Sequence, residues 1–272
     1  MERKIISQNN NISLSEYLKQ IFDFRYFSYS VAVGEIKNKY AQNYSGLFLS
    51  IIQSLLGLAI YWLIFGKAIK INTGDIPYPV FALPGIIVWQ YFSYLVGNSS
   101  GILIQSEHLI NKLYFPRINL VLAKILPGLV DFGAGFIIFV ILFTAFGMQF
   151  NIFWLFIPIL LVWLIVCGLA VGLWSAILSL FVRDLSQIII QITNFLIFIT
   201  PVFYPGTIVP ENFRFILYIN PIAGVAEYFR WFLFGGSNPD AEYLIGFGII
   251  LILFVSAVLV FKKIEKQITD LL

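Results

Sequence analysis

Charge is scarce in this chain: Asp, Glu, Lys and Arg make up 11% of its 272 residues, against about 25% in soluble domains. So little charge cannot clothe a water-facing surface, so much of the surface is expected to face lipid. Cysteine and histidine are scarcer still, with Cys167 and His108 the single examples. One thiol excludes an intramolecular disulfide and a cysteine-based metal site, and inside an apolar run Cys167 reads as packing. One imidazole cannot build a multi-histidine metal centre, so nucleophilic and metal chemistry lack their residues. The GxxxxGK[ST] phosphate loop, HExxH and GxSxG are all missing. Any energy the protein uses must therefore come from elsewhere. The first 45 residues hold no long apolar core followed by small residues. No signal peptide is expected, and insertion falls to internal spans. The net charge of +3 does not indicate nucleic acid, because the basic residues sit beside apolar runs rather than in a basic domain.

What is present is apolar length. Sixty per cent of the residues are hydrophobic and the mean hydropathy is +0.89. Crossing about 30 Å of hydrocarbon takes about 20 residues at about 1.5 Å each. Leu47 to Gly66 is free of charge and makes a first span; the uncharged stretch Ile76 to Ser106 holds a second. A third runs from Ile118 to Thr144 and includes Lys124 and Asp131. No charge appears from Phe132 to Val182, and the polar break Gly147 to Asn151 divides that run. Ile152 to Leu180 is the fourth span, Leu185 to Thr200 the fifth and Tyr243 to Phe261 the sixth.

Pro201, Pro205, Pro210 and Pro221 interrupt the apolar stretch before the last span. Proline breaks helices, and irregular backbone is not tolerated against lipid. A re-entrant or interfacial helical hairpin is the expected form, with a simple loop the weaker alternative. Near the N-terminus, Ser13-Leu14-Ser15-Glu16 fits a capping box. Leu14, Leu18 and Ile21 then recur at helical spacing beside Glu16, Lys19 and Asp23, which describes an amphipathic helix in the membrane interface. Lys37 and Lys39 read as a basic rim at its exit. The fold class is thus an all-α integral membrane protein with about six transmembrane helices. Residues 1–46 form an N-terminal segment, 47–261 the spans and 262–272 a tail.

Basic residues also set the orientation. Arg3, Lys4, Lys19, Arg25, Lys37 and Lys39 precede the first span. Lys112 and Arg117 follow the second, Arg183 the fourth, and Lys262, Lys263 and Lys266 the sixth. Only Lys67, Lys70, Arg214 and Arg230 fall on the other side. The positive-inside rule then places both termini in the cytoplasm.

The loop from Gln105 to Arg117 is short, mixed polar and aromatic, and closed by Pro116. It suits a stub helix offered to a cytosolic partner, or an ordinary turn. Its segment Leu109-Ile110-Asn111-Lys112-Leu113-Tyr114-Phe115-Pro116-Arg117 resembles the cytoplasmic loop of ABC transporter permeases that export polysaccharides, among them O-antigen, capsule and teichoic acid. Further similarities follow in family order. Ile76-Pro77-Tyr78-Pro79 with Trp89 is similar to the start of the second span, and Gly128-Leu129-Val130-Asp131-Phe132 to the third. Arg183-Asp184 with Thr200-Pro201-Val202-Phe203-Tyr204-Pro205 is similar to the fifth. Asn220-Pro221-Ile222-Ala223-Gly224-Val225 with Glu227-Tyr228-Phe229-Arg230-Trp231 resembles the hallmark before the last span. The chain departs from the pattern at Tyr40 to Gly46.

The resemblance implies a homodimer in the bacterial inner membrane, bound to two copies of a separate ATPase subunit. Its substrate is a lipid-linked polysaccharide; ATP and Mg are used by the partner, and this chain binds no cofactor. Glu107, His108, Asn111, Lys112, Tyr114 and Arg117 are then the expected ATPase contacts. Arg183 and Asp184 form either a second contact or a local ion pair. A carboxylate in the membrane needs a partner or water, so Asp131 is expected to point into the bundle, with Lys124 too far along the helix to bond it. Tyr91, Phe92 and Tyr94 are candidate channel residues, and Asn220, Pro221, Glu227 and Arg230 candidate gate residues. Glu227 and Arg230 can meet on one helix face, as a solvated surface pair or as a brace. Gly97-x-x-x-Gly101 and Gly168-x-x-x-Gly172 permit close helix approach. A membrane-embedded glycan polymerase or transferase would need clustered catalytic groups, and an ion channel would need a charge ring or carbonyl filter; the charges here are sparse and scattered.

Overall fold

The protein is represented by a computed structural model that describes residues 13–40, 52, 55–265 and 267–268. Most of 47–54, together with Arg3, Lys4, Lys266 and the departing segment 41–46, lies outside the described residues. Among those described, every regular element is helical.

Helix α1 (Leu14–Asp23) starts where the sequence says it should. The Ser13 hydroxyl accepts from the Glu16 amide at 3.2 Å, and the Ser13 amide donates to the Glu16 carboxylate at 3.0 Å. Helix α2 (Arg25–Tyr40) follows after one residue. Then come α3 (Leu55–Ala68) and α4 (Tyr78–Ser99). The last seven residues of α3, Trp62–Ala68, wind as a π-helix, a form found mostly as short insertions and often at functional sites. Helix α4 opens at Pro77 and Pro79, where missing amide donors cost nothing.

Gly101, at a φ of +74°, turns the chain into two stubs, α5 (Ile102–Gln105) and α6 (Glu107–Lys112). Its partner in the small-residue pattern, Gly97, has no neighbour closer than 4.0 Å to a would-be Cβ. This pair therefore ends a helix instead of joining two. The third span is broken at Ala123 and Lys124, between α7 (Ile118–Leu122) and α8 (Ile125–Ala145). A short 3-10 turn, Ile152–Phe156, leads into α9 (Ile157–Phe181). Helix α10 (Leu185–Leu196) has 12 residues, and 197–204 continue as turns, so the fifth segment is shorter than the sequence suggested.

The proline-rich stretch is a chain of short helices. Pro205, Pro210 and Pro221 each begin one: the 3-10 turns Gly206–Ile208 and Glu211–Phe213, and α12 (Pro221–Phe234). Helix α11 (Arg214–Ile219) lies between them, and α13 (Tyr243–Ile264) closes the bundle.

Among the described residues, four helical segments are long and apolar enough to span a membrane. Of these, α4 is 78% buried over its apolar window and the others 28% each, so α4 is the centre and the rest show an outer face to lipid. Helix α9 crosses α4 closely. A Cβ on Gly168 would stand 2.4 Å from Leu95, and one on Gly172 would stand 2.8 Å from the Ser99 hydroxyl. Cys167, beside that crossing, is fully buried packing.

Candidate functional site

Among the described residues, three places gather the polar groups singled out by the sequence or by their burial. The first is a cavity of 510 Å³ lined by α2, α3, α4, α8, α10 and the turn after α10. Tyr61, Tyr91, Tyr94 and Trp89 supply rings, while Gln90, Ser93 and Asn194 supply uncharged polar groups. At its side, the Lys39 ammonium meets the Asp131 carboxylate at 2.6 Å, and the Tyr40 hydroxyl donates to the other oxygen at 2.6 Å. A parallel pair lies beside it. Lys124 meets Glu35 at 2.6 Å, and the Tyr94 hydroxyl donates to the same carboxylate at 3.1 Å.

These contacts have a simple origin. Glu35 and Lys39 are four residues apart and share a face of α2. Lys124 and Asp131 carry the opposite charge order along the third span, so two ion pairs form when α2 lies beside it. Lys39 is therefore bound about two turns into α8 and is not part of a basic rim. Asp131 and Lys124 do not pair with each other. Of the aromatic residues proposed from sequence, Tyr91 and Tyr94 line the cavity, and Phe92 is buried in the core instead. The signal for Glu35 and Lys39 was the matched charge order, legible only once the two segments are side by side.

The second place is built by α12. Arg230 is 4% exposed, which excludes a solvated surface pair. Its guanidinium donates to the Val202 carbonyl at 2.6 Å, contacts Glu227 at 3.2 Å, and lies over the Phe81 ring at 4.3 Å. Glu227 in turn accepts from the Gly206 amide at 2.9 Å. The pair thus holds the chain that follows α10. Gly85 on α4 makes this possible, because a Cβ there would stand 2.6 Å from the Val202 carbonyl and 2.8 Å from Arg230. Asn220 caps α12 by accepting from the Ile222 amide at 3.0 Å, and donates to the Thr200 hydroxyl at 2.9 Å. Pro221 takes the first helical position behind it.

The third place is an end of the bundle where α1, α6 and the end of α13 converge. Glu107, His108, Asn111 and Lys112 are exposed, as are Leu113 at 52% and Tyr114 at 56%. Beneath them Phe115 and Ile110 are buried and anchor the stub. Arg117 differs from the rest: its guanidinium lies 3.9 Å from Glu265 and its amide donates to the same carboxylate. The Tyr17 hydroxyl donates to the second oxygen of Glu265. Burial pushes the Glu265 carboxyl above its ordinary range, against the pull of Tyr17 and Arg117, and burial also raises the Tyr17 phenol. Arg183 and Asp184, in the turn between α9 and α10, are exposed beside Phe181 and Val182. Neither Tyr17 nor Glu265 stood out in the sequence, since each looked like a polar residue of an amphipathic end. Among the described residues no cluster of His, Cys, Asp and Glu could hold a metal ion.

Comparison with known proteins adds an independent line. Residues 29–234 match the family described as ABC-2 type transporter. The O-antigen export system permease protein RfbA of Klebsiella pneumoniae is 26% identical over 88% of this chain and 92% of its own length. The protein of the same name from Myxococcus xanthus is 23% identical over 93% of this chain and 98% of its own. The polysialic acid transport protein KpsM of Escherichia coli is 24% identical over 87% and 93%.

Proposed function

The chain belongs to the ABC-2 type transporter family, and from that premise we propose that it is the membrane subunit of a polysaccharide exporter. A lipid-linked, O-antigen-like glycan is moved from the cytoplasmic side across the inner membrane, and a separate subunit hydrolyses the ATP with its Mg. Capsule or teichoic acid is the alternative cargo of the same machine. The relatives' names support the cargo class, since they include O-antigen and polysialic acid transport. The observation that carries the reading is the cavity. It joins aromatic rings and uncharged polar groups within an apolar bundle, and the Lys39–Asp131 pair at its side is internally neutralised.

Such a lining suits a sugar chain. Ring faces accept the C–H faces of pyranoses while amides and hydroxyls exchange hydrogen bonds with their hydroxyl groups. Scattered partners hold each sugar weakly, which a moving polymer requires. Two copies of this chain bring two such cavities together, and six spans per copy place both termini in the cytoplasm. That orientation is supported by the junction of α1, α6 and the basic end of α13 at one end of the bundle. The exposed stub is then the surface offered to two ATPase copies, with Arg183 and Asp184 a second, smaller contact. Glu227 and Arg230 brace the opposite, outer end of the route.

The test is genetic and biochemical together. Deleting the chain should remove the glycan from the cell surface and trap its lipid-linked form inside. Restoring it should require the ATPase subunit that co-purifies with it. Unchanged surface glycan after deletion would sink the proposal.

A further inference from the structure

Glu265 holds three elements with one carboxylate, and it does so where the proposed ATPase contact begins. Its side chain is 13% exposed. One oxygen accepts from the Arg117 amide, the first residue after the stub's closing proline, with the guanidinium 3.9 Å away. The other oxygen accepts from Tyr17 on α1. Tyr17 is 4% exposed, so this bond is not a surface accident. Glu265 itself directly follows α13. A second set of contacts braces the same corner: Asn119 donates to the Ile21 and Phe24 carbonyls at 3.2 and 3.1 Å, and Ser28 donates to the Asn119 carbonyl at 3.1 Å. Phe27 stacks on Phe115 with ring centres 4.2 Å apart.

The consequence is mechanical. The apolar contacts of this corner are non-directional and tolerate sliding, whereas the carboxylate fixes the stub's exit, the interfacial helix and the last span in one geometry. A backbone amide and a guanidinium at one oxygen, and a phenol hydroxyl at the other, make that fixing strong in a dry site. A push on α6 therefore cannot be absorbed by the stub alone.

We infer that Glu265 is a positioning residue for energy coupling, transmitting displacement of the stub to α1 and α13 at once. The inference rests on the reading that α6 meets the ATPase. Transmission needs the carboxylate, not merely a filled space, so the isosteric amide should fail where the fold survives.

The experiment uses the complete complex with its co-purifying ATPase. Glu265→Gln, Tyr17→Phe and their double variant would be compared with the parent. The readouts are ATP hydrolysis by the purified complex and surface carbohydrate on intact cells, labelled by mild periodate oxidation and a membrane-impermeant hydrazide dye. Glu265→Gln should lower surface carbohydrate about fivefold or more, the range of a modest coupling energy, while hydrolysis stays within about twofold. Tyr17→Phe should be intermediate, and the double variant no worse than Glu265→Gln, because both changes cut the same link. A parallel fall in hydrolysis and display, tracking a lowered melting temperature, means a structural role only and overturns the inference. So does an unchanged ratio of the two. If Tyr114→Asp leaves the ATPase bound, the underlying reading of the stub falls first, and this inference with it.

Discussion

An aspartate on an apolar helix costs at least about 2.5 kcal/mol in a membrane unless something neutralises or wets it. Asp131 is neutralised by Lys39 and hydrogen-bonded by Tyr40, each at 2.6 Å, and it borders the cavity as well. The bond to Lys39 is only part-buried, so its value lies mainly in not leaving either charge alone. Asp131→Leu and Lys39→Met should each lower the melting temperature of the detergent-solubilised protein. The double variant should lose less than the sum, with a coupling of about 1 kcal/mol; additive losses would mean that the pair does not act as one. The sequence marked Asp131 as a group needing company, and correctly ruled out Lys124 as that company. It could not name Lys39, because a charge partner from a distant segment leaves no periodic trace. Arg230 shows the same limit. Its spacing to Glu227 was legible, but its burial was not, because burial depends on Gly85 leaving room.

Helix α6 shows how a short element can be both exposed and firm. Isolated, six residues are far below the length at which a helix is stable. Here Ile110 and Phe115 are buried to 3% and 1% and pin it down, while Leu113 and Tyr114 remain outside. An exposed Leu-Tyr pair flanked by Lys112 and His108 is a surface ready for a partner. Tyr114→Asp should abolish co-purification of the ATPase while leaving the melting temperature within about 2 °C, since substitution of an exposed side chain usually costs little. Retained association would reject this surface as the contact. Long uncharged runs made most elements legible, and proline fixed the starts of the short ones. The break at Ala123 and Lys124 and the π-wound end of α3 carried no proline or glycine signal strong enough to find them. At the break, Lys124 is held against Glu35 of α2.

Across the whole molecule, the described residues divide into a central α4, a ring of lipid-facing helices, and one end where α1, α6 and α13 are tied. The membrane class followed from scarcity of charge, and the helical architecture from apolar runs long enough to span. The cavity as a whole did not, since its lining comes from several helices, and Gln90, Ser93 and Asn194 are unremarkable in their own runs. With no phosphate loop in the sequence, the purified chain should hydrolyse no ATP above a blank in liposomes, and hydrolysis should appear on adding the co-purified subunit. Turnover by the chain alone, free of contaminating protein, would contradict the assignment of the motor to another polypeptide.

Helix α10 has one further consequence. Twelve residues rise about 18 Å, well short of the hydrocarbon thickness of about 30 Å. Lipid beside it must either dimple or be excluded by another protein surface, two responses to hydrophobic mismatch, and Asn194 and Phe198 of the same segment line the cavity. The exposed side chains of α10 include Ile188, Ile192 and Phe195, so any protein surface that covers this flank has to be apolar as well.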